Sequence, residues 1–292
     1  MRTPSPFFML PFDHRAGFAE KILGFTLDTM SSAEIAEVSE YKKMVWESAL
    51  KTIASGVPKD NVVILVDGLF GKEIIESARK HNVTFATCIE KSGQDSFSFD
   101  AGENWRARLY EENPDIVKTL VRWHPDHVVG DRKLQLESLN AVSQWCIEHD
   151  KAFMFELLIP NSEKKDNLFF ETEIRPQLMQ RAVEEFHNMG IEPRYWKVEG
   201  IERREDLITF CNAIRKGGRN AEAIILGRNE GIQKVEQWLA VAKNVEGVAG
   251  FAVGRTVFLE PLLAFRSGKI SRASAIKKMT DVFLHFITYW RA

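Results

Sequence analysis

The chain has 292 residues, 45% of them hydrophobic, and a formal net charge of −2. That is ample for a sizeable core and gives no global basic field to recruit nucleic acid. Three cysteines (Cys88, Cys146, Cys211) without CxxC spacing imply neither a disulfide framework nor a zinc site, so a reducing cytoplasm is the expected setting.

No apolar run approaches the roughly 20 residues that span a bilayer, so no membrane partner is expected. The opening MRTPSPFFMLPFDHR has too short an apolar run for a signal peptide and reads as a strand. In chain order, strands are expected over 8–12, 62–66, 84–89, 117–123, 152–159, 195–199, 223–226 and 248–253. Most are rich in Val, Ile, Leu or Phe without polar alternation, as parallel strands buried on both faces should be.

Helical patterns lie between them. Ser31 to Glu34 offers a capping box ahead of a helix over 35–53. Further helices are expected over 171–189, stopped by Gly190, and 205–216, stopped by Gly217-Gly218. Others follow over 231–243 and 274–290. Eight strands, each followed by a helix, match a (β/α)8 TIM barrel, which needs about 250 residues. A doubly wound sheet is the rival, but no GxGxxG follows the first strand. No linker divides the chain, so one domain over 1–292 is expected.

Three consecutive strands carry a charge at their centres: Lys118 in the fourth, Glu156 in the fifth, Lys197 in the sixth. Neighbouring strands lie only about 4.8 Å apart. Each residue singly reads as well as a structural ion pair; together they suggest two cations and one anion inside the barrel. A lysine beside a second cation has its pKa lowered, which frees the amine to attack a ketone. A nearby carboxylate can then move the proton whose removal breaks a carbon–carbon bond. By the period of two, Leu120, Arg122 and His124 share the face of Lys118, and Glu199 that of Lys197.

Strands seven and eight both run into Gly-Arg: Gly227-Arg228 and Gly254-Arg255. Loops after these strands are the usual phosphate site of such barrels, where helix N–H groups and a guanidinium grip the anion. A tight turn with a surface arginine is the alternative for either pair.

The segments LPFDHR, VKTLVRW, FELLIP, WKVEG and GFAVGR, in that order, resemble the class I, Schiff-base aldolases of the tagatose-bisphosphate aldolase type. The closer resemblance is to the 2-deoxy-5-keto-gluconate 6-phosphate aldolase domain fused to sugar kinases in inositol catabolism. It implies Lys197 as the Schiff-base lysine, Lys118 as the second lysine, Glu156 as the acid/base and Asp13 as the strand-one aspartate. It implies Arg255, beside Gly254, as the phosphate arginine. The sequence departs from the tagatose enzymes at His14, at Gly227-Arg228-Asn229, and at Arg122 and His124. The added charge suits a substrate with a further carboxylate.

The implied reaction cleaves a phosphorylated keto-sugar acid to dihydroxyacetone phosphate and malonate semialdehyde. Tagatose 1,6-bisphosphate or a sulfo-sugar phosphate are alternative substrates, and a non-catalytic sugar-phosphate sensor is the alternative of another class. The chemistry needs no cofactor, and with no HExxH or Cys/His cluster no metal is expected. The expected partner is the small phosphorylated sugar; a homo-oligomer stays open. His14 reads equally as a substrate contact or a rim histidine. The loop after strand three, with Lys91 and Asp95, reads as a solvated connection rather than a lid. Tyr195 and Trp196 read as packing between helix and sheet.

Overall fold

The computed structural model describes residues 6–127 and 129–292. Eight parallel strands close into a barrel in sequence order. They are β1 (Phe7–Pro11), β2 (Val62–Val66), β3 (Thr84–Cys88), β4 (Ile116–Arg122), β5 (Ala152–Leu158), β6 (Tyr195–Glu199), β7 (Glu222–Leu226) and β8 (Val248–Ala252). The barrel shuts where β1 pairs with β8, Phe8 opposite Phe251.

The principal helices are α1 (Ser32–Ala54), α2 (Lys72–His81), α3 (Trp105–Glu112), α4 (Arg132–Glu148), α5 (Arg175–Asn188), α6 (Arg204–Arg215), α7 (Ile232–Ala242), α8 (Arg255–Arg266) and α9 (Arg272–Arg291). The capping box before α1 forms as expected. The Ser31 N–H donates to Glu34 Oε2 at 2.8 Å, and the Glu34 N–H donates to Ser31 Oγ at 3.3 Å. The helix expected over 171–189 opens instead with a π-helical turn, Phe170–Ile174, before α5.

Alternation along the strands divides the core in two. Phe7, Met9, Val63, Leu65, Met154, Tyr195 and Ile224 fill the barrel interior. Phe8, Leu10, Val62, Ile64, Phe155, Trp196 and Val198 face the helices. Trp196 therefore packs as expected, 5.1 Å from Phe155 between ring centroids. Tyr195 does not: it points inward, 4.9 Å from Phe7. With Tyr195 inside, the period of two puts Lys197 and Glu199 inside as well, further towards the carboxyl ends of the strands. That is the end at which such barrels carry their chemistry.

Candidate active site

At this mouth the three charges from consecutive strands meet. Glu156 and Lys197 are register partners across β5 and β6. Lys197 Nζ lies 2.7 Å from Glu156 Oε1, and Lys118 Nζ lies 2.9 Å from Glu156 Oε2. Glu156 thus bridges the two lysines, one oxygen to each.

Lys118 has two further carboxylates. Its ammonium donates to Asp13 Oδ2 at 2.9 Å and to Glu90 Oε1 at 2.6 Å. The expected excess of positive charge is therefore not what the barrel holds: two lysines face three carboxylates. The correction comes from Glu90, which directly follows β3 and had drawn no role in the sequence. Burial disfavours the charge on Lys118, but Asp13, Glu156 and Glu90 outweigh it and hold the ammonium well above the ordinary lysine range. Lys118 is thus a fixed cation held by three carboxyl groups.

Burial raises the Asp13 carboxyl, yet Lys118, His14 and Lys197 together hold it well below the ordinary carboxylate range. Burial likewise works against charge on Glu156, and Lys118 and Lys197 bring it below its usual value. Glu90 goes the other way: burial, with Asp13 adding to it, outweighs Lys118 and lifts the carboxyl. His14 is taken down to about 4, chiefly by burial, so its imidazole is neutral at pH 7. Its Nδ1 stands 4.0 Å from Asp13 Oδ1.

Two further buried cations, Lys42 and Arg15, fix these groups. Lys42 of α1 is fully buried and donates to the carbonyl oxygens of Phe12 (2.8 Å) and His14 (3.0 Å) and to the carboxylate of Asp67. Asp67 follows β2 and also accepts from the Phe70 N–H at 2.9 Å. The clamp grips the backbone on both sides of Asp13. Arg15 donates to the carbonyl of Glu90 and pairs with Asp100 at 2.6 Å, tying the turn after β1 to the end of β3. A lysine on the buried stripe Val38, Lys42, Val45, Ala49 was the legible signal for the first of these.

A cavity of about 180 Å³ opens onto Asp13, His14, Glu90, Lys118, Glu156 and Lys197. Its outer wall is the loop after β3, residues 91–98, which is no mere solvated connection. The loop folds back as a hairpin, with Lys91 N–H donating to Ser98 O at 2.9 Å and Glu90 bridged to Phe99. Arg122 also lines the cavity and holds the loop, donating from Nη1 to Gln94 O at 2.9 Å. His124 does not join this cavity; it lies in a neighbouring one of about 240 Å³ that Arg122 also lines.

The two Gly-Arg pairs part company. Arg255 opens α8 half-buried, and among the described residues no hydrogen bond or ion pair engages its guanidinium. Burial disfavours its charge, while Asp13 and Glu156 favour it, which sets the group within electrostatic reach of the pocket. Gly254 caps this helix, and a Cβ there would come within 2.0 Å of Pro11 O, so the glycine is required by the approach of β1.

Arg228 is already taken, by Glu171 at 2.6 Å and Glu199 at 2.7 Å. The Gly227 N–H donates within the sheet, to Ala252 O at 3.2 Å. The expected anion grip at Gly227-Arg228 is thus replaced by an internal ion-pair network. It also accounts for Glu199, which balances Arg228.

Asp13, Cys88 and Glu90 bring potential metal ligands within 4.8 Å of one another. Lys118 Nζ already bonds two of the three, and burial pushes the Cys88 thiol well up, against the thiolate a metal needs. This donor set fits an ammonium, not a metal ion.

Solved structures share the architecture. Cgl0159 from Corynebacterium glutamicum superposes with a TM-score of 0.56 at 17% identity, over 95% of this chain and 85% of that one. A fructose-bisphosphate aldolase from Slackia heliotrinireducens gives 0.55 at 12% identity, over 94% and 85%. At such identities the likeness is one of fold. No curated protein matches the chain. A family model described as "Uncharacterized protein conserved in bacteria (DUF2090)" matches residues 2–292, and the chain belongs to that family.

Proposed function

We propose that the protein is a class I aldolase in which Lys197 forms a Schiff base with a phosphorylated keto-sugar acid. The observation that carries this reading is the unequal treatment of the two lysines. Lys118 is held by three carboxylates and keeps its proton; among the described residues Lys197 has Glu156 alone at its ammonium. Glu156 is placed to accept the proton that Lys197 must shed before its nitrogen can attack.

The substrate is 2-deoxy-5-keto-D-gluconate 6-phosphate. Lys197 attacks the C5 ketone; Glu156 takes the proton of the C3 hydroxyl; the C3–C4 bond breaks. Malonate semialdehyde leaves, and the enamine on Lys197 is protonated at C4 and hydrolysed to dihydroxyacetone phosphate. The electron pair of the broken bond is drawn towards the iminium nitrogen, and the fixed Lys118 cation supports the anionic Glu156 and Asp13 around it.

The placing of Arg255 and Arg122 supports a substrate anionic at both ends. Arg255 follows β8 and Arg122 ends β4, four strands apart in an eight-stranded ring and therefore on opposite walls. Lys197, on β6, lies midway. Arg255 with the N–H groups of α8 would take the phosphate, and Arg122 the carboxylate.

Borohydride reduction during turnover should add the mass of the reduced substrate or triose phosphate adduct to Lys197. Unmodified Lys197 while cleavage proceeds would refute the reading. Arg122→Leu should raise KM for the carboxylated substrate about tenfold or more, the loss of one charge-assisted pair. An unchanged KM would remove the carboxylate assignment.

A further inference from the structure

Glu90 stands apart from the other two carboxylates around Lys118. Glu156 has a lysine ammonium within ion-pair distance of each oxygen, Lys197 at Oε1 and Lys118 at Oε2, although its Oε2, too, makes no hydrogen bond among the described residues. Asp13 is held firmly as an anion. Glu90 accepts at Oε1 from Lys118 at 2.6 Å, while its Oε2 is buried with no hydrogen-bond partner among the described residues. The residue is 8% exposed and lines the cavity that Lys197 enters.

An orphaned oxygen at such a place is costly unless something meets it in the working state. The backbone that carries it is firmly placed. The backbone of Glu90 is bridged to Phe99, its carbonyl accepts from Arg15, and the next N–H donates to Ser98 O at 2.9 Å. These bonds set the side chain at the joint between β3 and the loop that walls the pocket.

We infer that Glu90 is a catalytic residue whose Oε2 passes the proton needed to make and to break the Lys197 imine. The inference rests on the Schiff-base reading above. Attack of the amine on the ketone gives a carbinolamine. The Glu90 proton moves to the carbinolamine oxygen, the C–O bond breaks with its electron pair leaving in water, and the nitrogen lone pair closes the C=N bond. Glu90 is then a carboxylate. When water adds to the product imine, Glu90 takes the proton that this water gives up and is restored.

Burial and the nearby Asp13 both favour the protonated form that the first step requires. The charged and titratable groups facing Glu90 are Lys118 from β4, Asp13 and Arg15 from the turn after β1, and Cys88 from β3. Lys118 and Arg15 are held above their ordinary ranges, Cys88 well up and Asp13 well down. Among these groups Glu90 is the carboxyl whose protonated form is favoured, so a loss of rate on the alkaline side is assigned to it.

The test uses dihydroxyacetone phosphate, which forms the same imine from the product side. The full chain is mixed with it, quenched with borohydride at timed intervals between pH 5 and 9, and the adduct on Lys197 is followed by mass spectrometry. Wild type should trap with a rate that falls on the alkaline side. Glu90→Gln should trap about 100-fold more slowly at the wild-type optimum, a typical loss of one acid–base group, and should lose the alkaline fall. Glu90→Asp, which keeps a carboxyl, should keep the fall with its midpoint displaced.

A Glu90→Gln rate within twofold of wild type would overturn the inference. So would a slowed rate with the wild-type pH profile, which marks a positioning role. If circular dichroism shows that Glu90→Gln does not fold, Glu90→Asp decides: an unmoved midpoint overturns it. Absence of any Lys197 adduct in wild type would instead retire the Schiff-base reading, and this step with it.

Discussion

Lys118 and Lys197 are the same residue on strands two apart, and their neighbours give them opposite work. Lys118→Met would leave Asp13, Glu90 and Glu156 crowded and without their shared cation. Breaking such a buried cluster should lower the free energy of unfolding by about 3–5 kcal/mol, measured by urea denaturation. Lys197→Met, which leaves Glu156 still paired with Lys118, should cost markedly less. Equal losses would mean that the two lysines are equivalent, against the contacts described. At this scale the sequence exposed the residues that interrupt apolar runs: Lys118, Glu156 and Lys197 are conspicuous because each is a charge at the centre of its strand, whereas Arg122 and Glu199 stand at strand ends. Glu90 and Lys42 were harder to see. Glu90 sits among the polar residues of a loop, where one more carboxylate carries no contrast, and Lys42 lies in a helix rich in lysine and glutamate.

Among the elements, the strands were placed to within a residue or so because buried parallel strands read as unbroken apolar runs. The π-helical turn Phe170–Ile174 was not legible, since its extra residue leaves the amphipathic pattern nearly intact. The fate of Arg228 was hidden for a related reason: Glu171, its partner, is 57 positions away in sequence. Two element ends invite measurement. Ser31→Ala removes the capping box of α1 and should cost about 1 kcal/mol in denaturant unfolding. Gly254→Ala drives a methyl into the Pro11 carbonyl and should cost about 1–3 kcal/mol. It should also weaken triose phosphate trapping, because the same strand end carries Asp13. A Gly254→Ala protein as stable as wild type would mean that β1 yields freely there.

For the whole molecule, acid should act in two stages. His14 and His187 are held neutral at about 4 in the fold, mainly by burial, against an ordinary value of 6.5. Between those values the unfolded chain binds protons that the folded one refuses, so stability should fall as pH drops from 6.5 towards 4. Asp13 and Glu156 are depressed from ordinary values of 3.8 and 4.5. Their contribution is complete above those values and is lost as pH falls further. Denaturant midpoints measured from pH 7 to pH 3 should decline throughout, and His187→Leu should flatten the slope between 6.5 and 4. A midpoint constant down to pH 4.5 would contradict the first stage. The closed barrel itself was legible from strand count alone, whereas the pairing of charges across its mouth needed the third dimension.

The clamp on the turn after β1 has an evolutionary side. Lys42 holds carbonyl oxygens, not side chains, at positions 12 and 14. Every residue type supplies a carbonyl, so the identities of these neighbours can drift without releasing Asp13. On the aldolase reading proposed above, position 14 is then a site at which substrate preference could be retuned by single mutations while Asp13 keeps its place. The robustness of the chemistry and the freedom of the recognition surface come from one buried ammonium.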